Sequence, residues 1–260
     1  MPAMLPPAPE RTPDFDQSFA SRALDRTAWI DHYLPHWTTP DRSLARYDID
    51  DDGLRLRIDA DQPNWREDEA PLRVSHLQTG NAAGPAGSRR GTHRYREDLT
   101  VVTPTPTRLL WTPSEGRIDV TVSATTATSC MLAAWLVGSE EGGERDSGEI
   151  CLFEIDGSAI GDHASRARSG IKSHRDDRLT TDMADVDVPV DATRPHTWTA
   201  IWGQNRTVVG CEGVVVRTLE QAPAYPLVLM LDLWDFGTRP PEPHAWQKTA
   251  HIHRVRGWTA

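Results

Sequence analysis

Two glutamates, Glu149 and Glu154, stand on the apolar stretch GEICLFEIDG at residues 148–157, with Ile150, Leu152, Phe153 and Ile155 among them. A carboxylate buried on such a segment is costly unless it is partnered or used. On a strand, alternate side chains share a face, so Glu149 and Cys151 point one way and Glu154 points the other. One β-bulge between Cys151 and Glu154 would return Glu154 to the face of Glu149, and bulges recur beside active sites. The chemistry open to that pair is retaining glycoside hydrolysis, in which two carboxyl groups about 5–5.5 Å apart serve as nucleophile and as acid, then base. Spacing alone equally allows two solvent-facing strand residues in a chain with 38 acidic side chains.

The elements that must carry the pair read as short strands. Leu54, Leu56 and Ile58 alternate with polar partners after a turn ending at Gly53, and residues 45–47 read as the strand before that turn. Further strands are predicted at residues 99–103, 117–124, 131–137, 149–155, 184–190, 197–203, 226–234 and 251–258, with a hairpin at 206–219 turning near Cys211–Gly213. No long segment keeps a 3.6-residue period, and only residues 25–33 suggest a turn of helix. Many short strands separated by Gly, Pro, Asp and Ser turns predict an all-β fold, an antiparallel β-sandwich or jelly roll. The polar stretch 78–96 is a surface loop able to form a cleft wall. Residues 1–13, with five prolines, are expected to be a disordered leader before a single domain at 14–260.

Composition narrows the partners. A formal net charge of -10 over 260 residues argues against nucleic acid and anionic membranes. No segment reaches the ~18 apolar residues of a membrane span, and the N-terminus lacks a secretory pattern. Three cysteines, Cys130, Cys151 and Cys211, imply neither a disulfide framework nor a zinc knuckle. The expected location is therefore the cytosol, or outside the cell if a leader has been removed. Ten tryptophans against four tyrosines and four phenylalanines suit both sugar stacking and sandwich cores.

The ordered series SEGRIDVTV (114–122), AAWLVG (133–138) and GEICLFE (148–154) resembles glycoside hydrolase family 16, laminarinase-like members included. Residues 195–202, the turn at Cys211–Gly213 and PLVLMLDLW (226–234) continue the resemblance over nearly the whole chain. It implies a concanavalin A-like jelly roll with a concave cleft, and a Glu-x-Asp-x-x-Glu site in which Glu149 matches the nucleophile and Glu154 the acid/base. Trp135 matches a tryptophan of the cleft floor and His174 a cleft-facing histidine. Trp111 falls where a second sugar-stacking aromatic would lie, and Trp234 closes the late strand as a further substrate-binding candidate. Trp135 and Trp111 are also readable as core packing, Trp111 the more so, and His174 as a solvated loop residue.

The departure is Cys151, which occupies the position of the family's central Asp. A thiol is a weak donor and is ordinarily neutral at pH 7. Its presence removes a negative charge beside Glu149 and weakens the coupling between the two glutamates.

The remaining candidates carry less. His251 and His253 share a strand face without a third ligand, residues 48–52 lack the calcium-loop pattern, and Arg89, Arg90 and Arg94 read as loop charges at the cleft mouth. No cofactor and no metal are expected. The first functional expectation is a retaining endo-acting hydrolase of β-1,3- or β-1,3/1,4-glucan. The alternatives are an intracellular relative using the glutamates for acid/base chemistry on a small metabolite or glycoside, and a non-catalytic carbohydrate-binding protein.

Overall fold

Alternation in the sequence becomes alternation in burial: in Gly53–Ile58, Leu54, Leu56 and Ile58 are fully buried while the arginines between them are half-buried. The computed structural model describes residues 2–237 and 248–260. In chain order the strands are β1 (Phe15–Gln17), β2 (Tyr47–Asp50), β3 (Gly53–Ile58), β4 (Arg73–Gln78), β5 (Gly80–Asn81), β6 (Arg108–Leu109), β7 (Gly116–Ser123) and β8 (Cys130–Gly138). They continue as β9 (Glu149–Asp156), β10 (Ser165–Lys172), β11 (Asp182–Val188), β12 (His196–Gly203), β13 (Arg206–Cys211), β14 (Val214–Leu219), β15 (Leu227–Asp235) and β16 (Lys248–Thr259).

Two antiparallel sheets face each other. One runs β14-β13-β12-β7-β16-β3-β2, with β1 added beside β16, and the other runs β11-β10-β9-β8-β15-β4. The main core lies between them, where Ile118, Val120 and Trp198 of the first sheet meet Leu132, Ile150, Phe153 and Leu231 of the second. The outer face of the six-stranded sheet is covered as well. Tyr33, Leu34, Trp37, Trp65, Leu99 and Val101 from the connections pack over Val74, Met131, Trp135, Met230 and Trp234. Strands buried on both faces need apolar residues at successive positions, which is why β8 and β15 read as continuous runs and are buried throughout.

Several expectations are corrected. Residues 99–103 form no strand: Val101 N–H and Val102 N–H reach the carbonyls of Ser88 and His36, and the alternation serves to bury Leu99 and Val101. The expected turn before Gly53 is shorter, because Tyr47–Asp50 pairs with β3 and Asp48 is held by Arg55. Residues 25–33 form turns without a helix, and the short helical turns come after them at Pro35–Trp37 and Pro40–Ser43. The leader is placed where disorder was expected. Met4 bridges Val214, Leu5 N–H donates to Gly213 O, Val215 N–H donates to Ala3 O, and Arg117 donates to Pro6 O. Residues 3–5, the stretch between Pro2 and Pro6, supply the backbone groups that pair along this edge strand.

Candidate active site

Strand β9 carries the glutamate pair, and its pairing with β8 slips by one residue: Ala134 faces Phe153, but the next residue, Trp135, faces Cys151. Leu152 is the extra residue. The slip leaves Phe153 in the inter-sheet core, 5.1 Å from the Trp198 ring, and turns Glu154 to the face of Glu149 and Cys151. Strand β10 slips at the same level, between Arg168 and Gly170, and the Ser169 hydroxyl fills the gap by donating to Cys151 O. Gly170 has φ +152°, and a Cβ there would lie 2.0 Å from Asp182 O, so this step requires glycine.

The result is a cleft of about 330 Å³ on the outer face of the six-stranded sheet, lined by Glu149, Glu154, Trp135, Trp234, Lys172 and His174. Tyr33, Trp65, His93 and Tyr95 close it from the connecting loops. One carboxylate oxygen of Glu149, one of Glu154 and the Cys151 sulfur all lie within 4.8 Å of one another. Both glutamates are buried, at 1% and 6% exposure.

Each carboxylate has cationic company. Lys172 Nζ lies 2.7 Å from Glu154 Oε1, as a hydrogen bond, and 2.9 Å from Glu149 Oε1, off the angle of a hydrogen bond and therefore as an ionic contact. Arg168 holds Glu154 Oε2 at 3.0 Å, and His174 Nε2 lies 2.9 Å from Glu149 Oε2. The Lys172 ammonium also stands 5.0 Å from the centre of the Trp135 ring. Burial alone would push the Glu149 carboxyl up, but Lys172 and His174 outweigh it and hold the group at about 2. The same carboxylates, opposing burial, push the Lys172 ammonium above its ordinary value. Burial, then the two glutamates, push the Cys151 thiol up, so it is neutral; its S–H points to Arg168 O at 3.6 Å.

Trp135 and Trp234 stand 6.0 Å apart in the cleft, and Phe236 stacks on Trp234. Trp234 Nε1 is buried without a hydrogen-bond partner among the described residues. Trp111 does not reach the cleft. It packs in the inter-sheet core, stacked 4.9 Å from Phe15 with its ring over Gly257, because β1 and β16 close around it. Arg94 is also displaced from its expected place at the mouth. With Arg89, Arg90 and Glu140 it lines a neighbouring cavity, paired to Glu97 and Glu144. His251 and His253 stack on each other at the far sheet.

Sequence reasoning missed β10 and with it Lys172 and Arg168. SRARSGIK shows arginine, serine and alanine where apolar alternation would have announced a strand. The signal that existed was Ala167 and Ile171, two strand-spaced apolar residues directed at the core. His93 and Tyr95 lay within the loop expected as a cleft wall, but nothing singled them out.

The two facing antiparallel sheets, with a glutamate pair in a cleft on one of them, define the class: this is the jelly-roll fold of the family-16 glycoside hydrolases. Among solved structures, a GlcNAcα1-4Gal-releasing endo-β-galactosidase from Clostridium perfringens superposes with a TM-score of 0.81 at 20% identity. The match covers 97% of this chain and 65% of that one, so the present chain spans less than two thirds of that enzyme. A non-specific endo-β-1,3(4)-glucanase of family 16 matches with a TM-score of 0.66 at 14% identity, over 98% of this chain and 94% of its own. The laminarinase from Flavobacterium sp. UMI-01 matches with a TM-score of 0.62 at 13% identity, over 95% and 100%. At these identities the likeness is one of fold. No protein-family model matches the sequence, and no curated protein matches it.

Proposed function

We propose that the protein is a retaining, endo-acting β-glycan hydrolase with Glu149 as nucleophile and Glu154 as acid and then base. The observation that carries this reading is the approach of the two carboxylates to within 4.8 Å on one strand face. That spacing leaves no room for the intervening water of an inverting site and fits direct attack by one carboxylate. The sugar ring rests against Trp135 and Trp234, whose faces suit the apolar side of a pyranose. Glu149, kept ionised by Lys172 and His174, attacks the anomeric carbon while Glu154 gives a proton to the departing glycosidic oxygen. The glycosyl-Glu149 bond is then broken by water, whose proton Glu154 takes. A protonated Glu154 no longer holds Lys172, so the lysine must turn from Glu154 while keeping its contact with Glu149 as substrate enters; its side chain is 28% exposed and has room to do so.

The proposed substrate class is β-1,3- or mixed β-1,3/1,4-glucan, in keeping with the glucanases of the same fold, with β-galactan included because of the galactosidase match. The test is reducing-sugar release across such a panel. Glu149→Gln is expected to lower kcat by at least about 10³-fold, the scale on which removal of a nucleophile acts. Release by the variant at the wild-type rate would overturn the assignment.

One observation favours a second reading. A lysine bridging both glutamates makes a self-satisfied ion cluster, which suits a cleft that binds sugar without cleaving it. In that case no glycan of the panel is cut, and Glu149→Gln leaves sugar affinity nearly intact.

A further inference from the structure

At the end of the cleft beyond Glu149, two histidines converge on the same carboxylate. His174 Nε2 lies 2.9 Å from Glu149 Oε2, and the His93 ring stands edge-on to the His174 ring with centres 5.0 Å apart. One ligand atom from each of His93, Glu149 and His174 lies within 4.8 Å of the others. His93 is 8% exposed and lines the cleft, and its ring nitrogens make no hydrogen bond among the described residues; its ring contacts are with Tyr95, Trp135 and His174. An imidazole that faces a cleft without a polar partner is an unspent ligand. Both histidines also sit in the left-handed region, His93 at φ 53° and His174 at φ 48°, a conformation that costs free energy for residues other than glycine. The backbone bears that cost twice at one spot, and both turns are pinned by one clamp: Arg175 pairs with Glu140 and donates to Arg94 O, while Arg94 N–H donates to Glu140.

We propose that His93, His174 and Glu149 form a binding site for a borderline divalent transition metal of the Zn²⁺ class. Two imidazoles and one carboxylate, with a fourth position open to the cleft, are the donor set of such ions, and hard cations such as Mg²⁺ and Ca²⁺ do not choose it. Bonds of about 2.0–2.1 Å put neighbouring ligand atoms about 3.3 Å apart, so the three groups have to close by no more than about 1.5 Å. The carboxylate binds through Oε2, since Oε1 faces Lys172. A bound metal thereby draws on the charge of the same carboxylate that the proposed attack uses, and hydrolysis and metal occupancy exclude each other. That last clause rests on the proposed role of Glu149; the binding site does not.

The test is calorimetric titration of the chelator-stripped protein with Zn²⁺, paired with Co²⁺ absorption spectroscopy. One equivalent of Zn²⁺ should bind, Co²⁺ should give the intense visible bands of a low-coordinate site, and Mg²⁺ and Ca²⁺ should not compete. His93→Gln and His174→Gln should each weaken Zn²⁺ by more than about 100-fold, beyond what loss of an outer partner of a ligand gives. Their melting without metal reports whether they fold. The double variant His251→Gln/His253→Gln, which removes the stacked surface pair, should bind as the wild type does. Binding that follows the surface pair, survives both single variants or is matched by Ca²⁺ overturns the proposal. Glycan release in chelator, lost on adding Zn²⁺ and spared in His93→Gln relative to its own chelated baseline, tests the exclusion separately. A protein that binds Zn²⁺ at this site but cuts no glycan would keep the metal site and refute the hydrolase.

Discussion

Lys172 is the side chain on which the electrostatics of the cleft turn. It supplies the positive charge that lets two carboxylates remain buried within 4.8 Å of each other, where like charges would otherwise drive one of them to take up a proton. Cys151, neutral beneath them, adds no negative charge, so the two carboxylates are balanced by two cations, Lys172 and Arg168. The consequence is readable in a pH profile. Replacing Lys172 by Gln removes the main influence that opposes burial at Glu149, so its carboxyl rises from about 2. Under the proposed mechanism the acid limb of kcat/KM reports protonation of Glu149 in the free protein, and it is expected to move to higher pH in the variant. An unmoved limb would mean that Lys172 does not govern Glu149.

At the scale of the strand, the spacing of the glutamates is a property of the backbone. Leu152 in β9 and the step at Gly170 in β10 slip together, and Phe153 is driven into the inter-sheet core as Glu154 turns outward. Phe153 is fully buried against Trp198, so Phe153→Ala should cost about 3–5 kcal/mol in denaturant unfolding. A loss below about 1 kcal/mol would show that the bulge is not anchored there.

The slip itself was legible in the sequence. Two carboxylates five residues apart on an apolar strand have the wrong parity for one face, and a bulge is the ordinary remedy. The jelly roll was legible too, from strand-length apolar runs broken by turn residues. What escaped was of two kinds. Strand β10 hid because its outward positions carry arginine and its inward ones alanine, serine and isoleucine, so no contrast marked a period. Trp111 was misplaced because a tryptophan's neighbours across sheets, Phe15 and Gly257, are far away in the chain and leave no local signature.

Across the whole molecule, one buried histidine sets a limit on acid tolerance. His36 is fully buried beside Trp37 with its Nε2 3.0 Å from Thr92 O, and burial holds it at about 4, against 6.5 when unfolded. Between those values the unfolded chain binds the extra proton and the folded one does not. The contribution is therefore full above pH 6.5 and is lost as pH falls towards 4, by about 1.4 kcal/mol per pH unit. Melting temperature measured from pH 7 to 4 should fall less steeply in His36→Gln than in the wild type, whatever the variant's stability at pH 7; parallel curves would contradict the assignment.

The N-terminal segment paired along β14 has a consequence for the company the molecule keeps. The last strand of a sheet is an open template, a row of donors and acceptors on which any other extended chain can crystallise. Here the chain's own residues 3–5 are already hydrogen-bonded to that row, through Leu5 N–H to Gly213 O and Val215 N–H to Ala3 O. Beyond them the chain leaves that edge, and Arg117 of β7 donates to Pro6 O. Removal of residues 2–6 should uncover the template, and light scattering should then show concentration-dependent assembly where the full chain shows none. The least regular part of the sequence thus acts as a stopper, setting where the sheet ends and keeping one molecule from becoming the first rung of many.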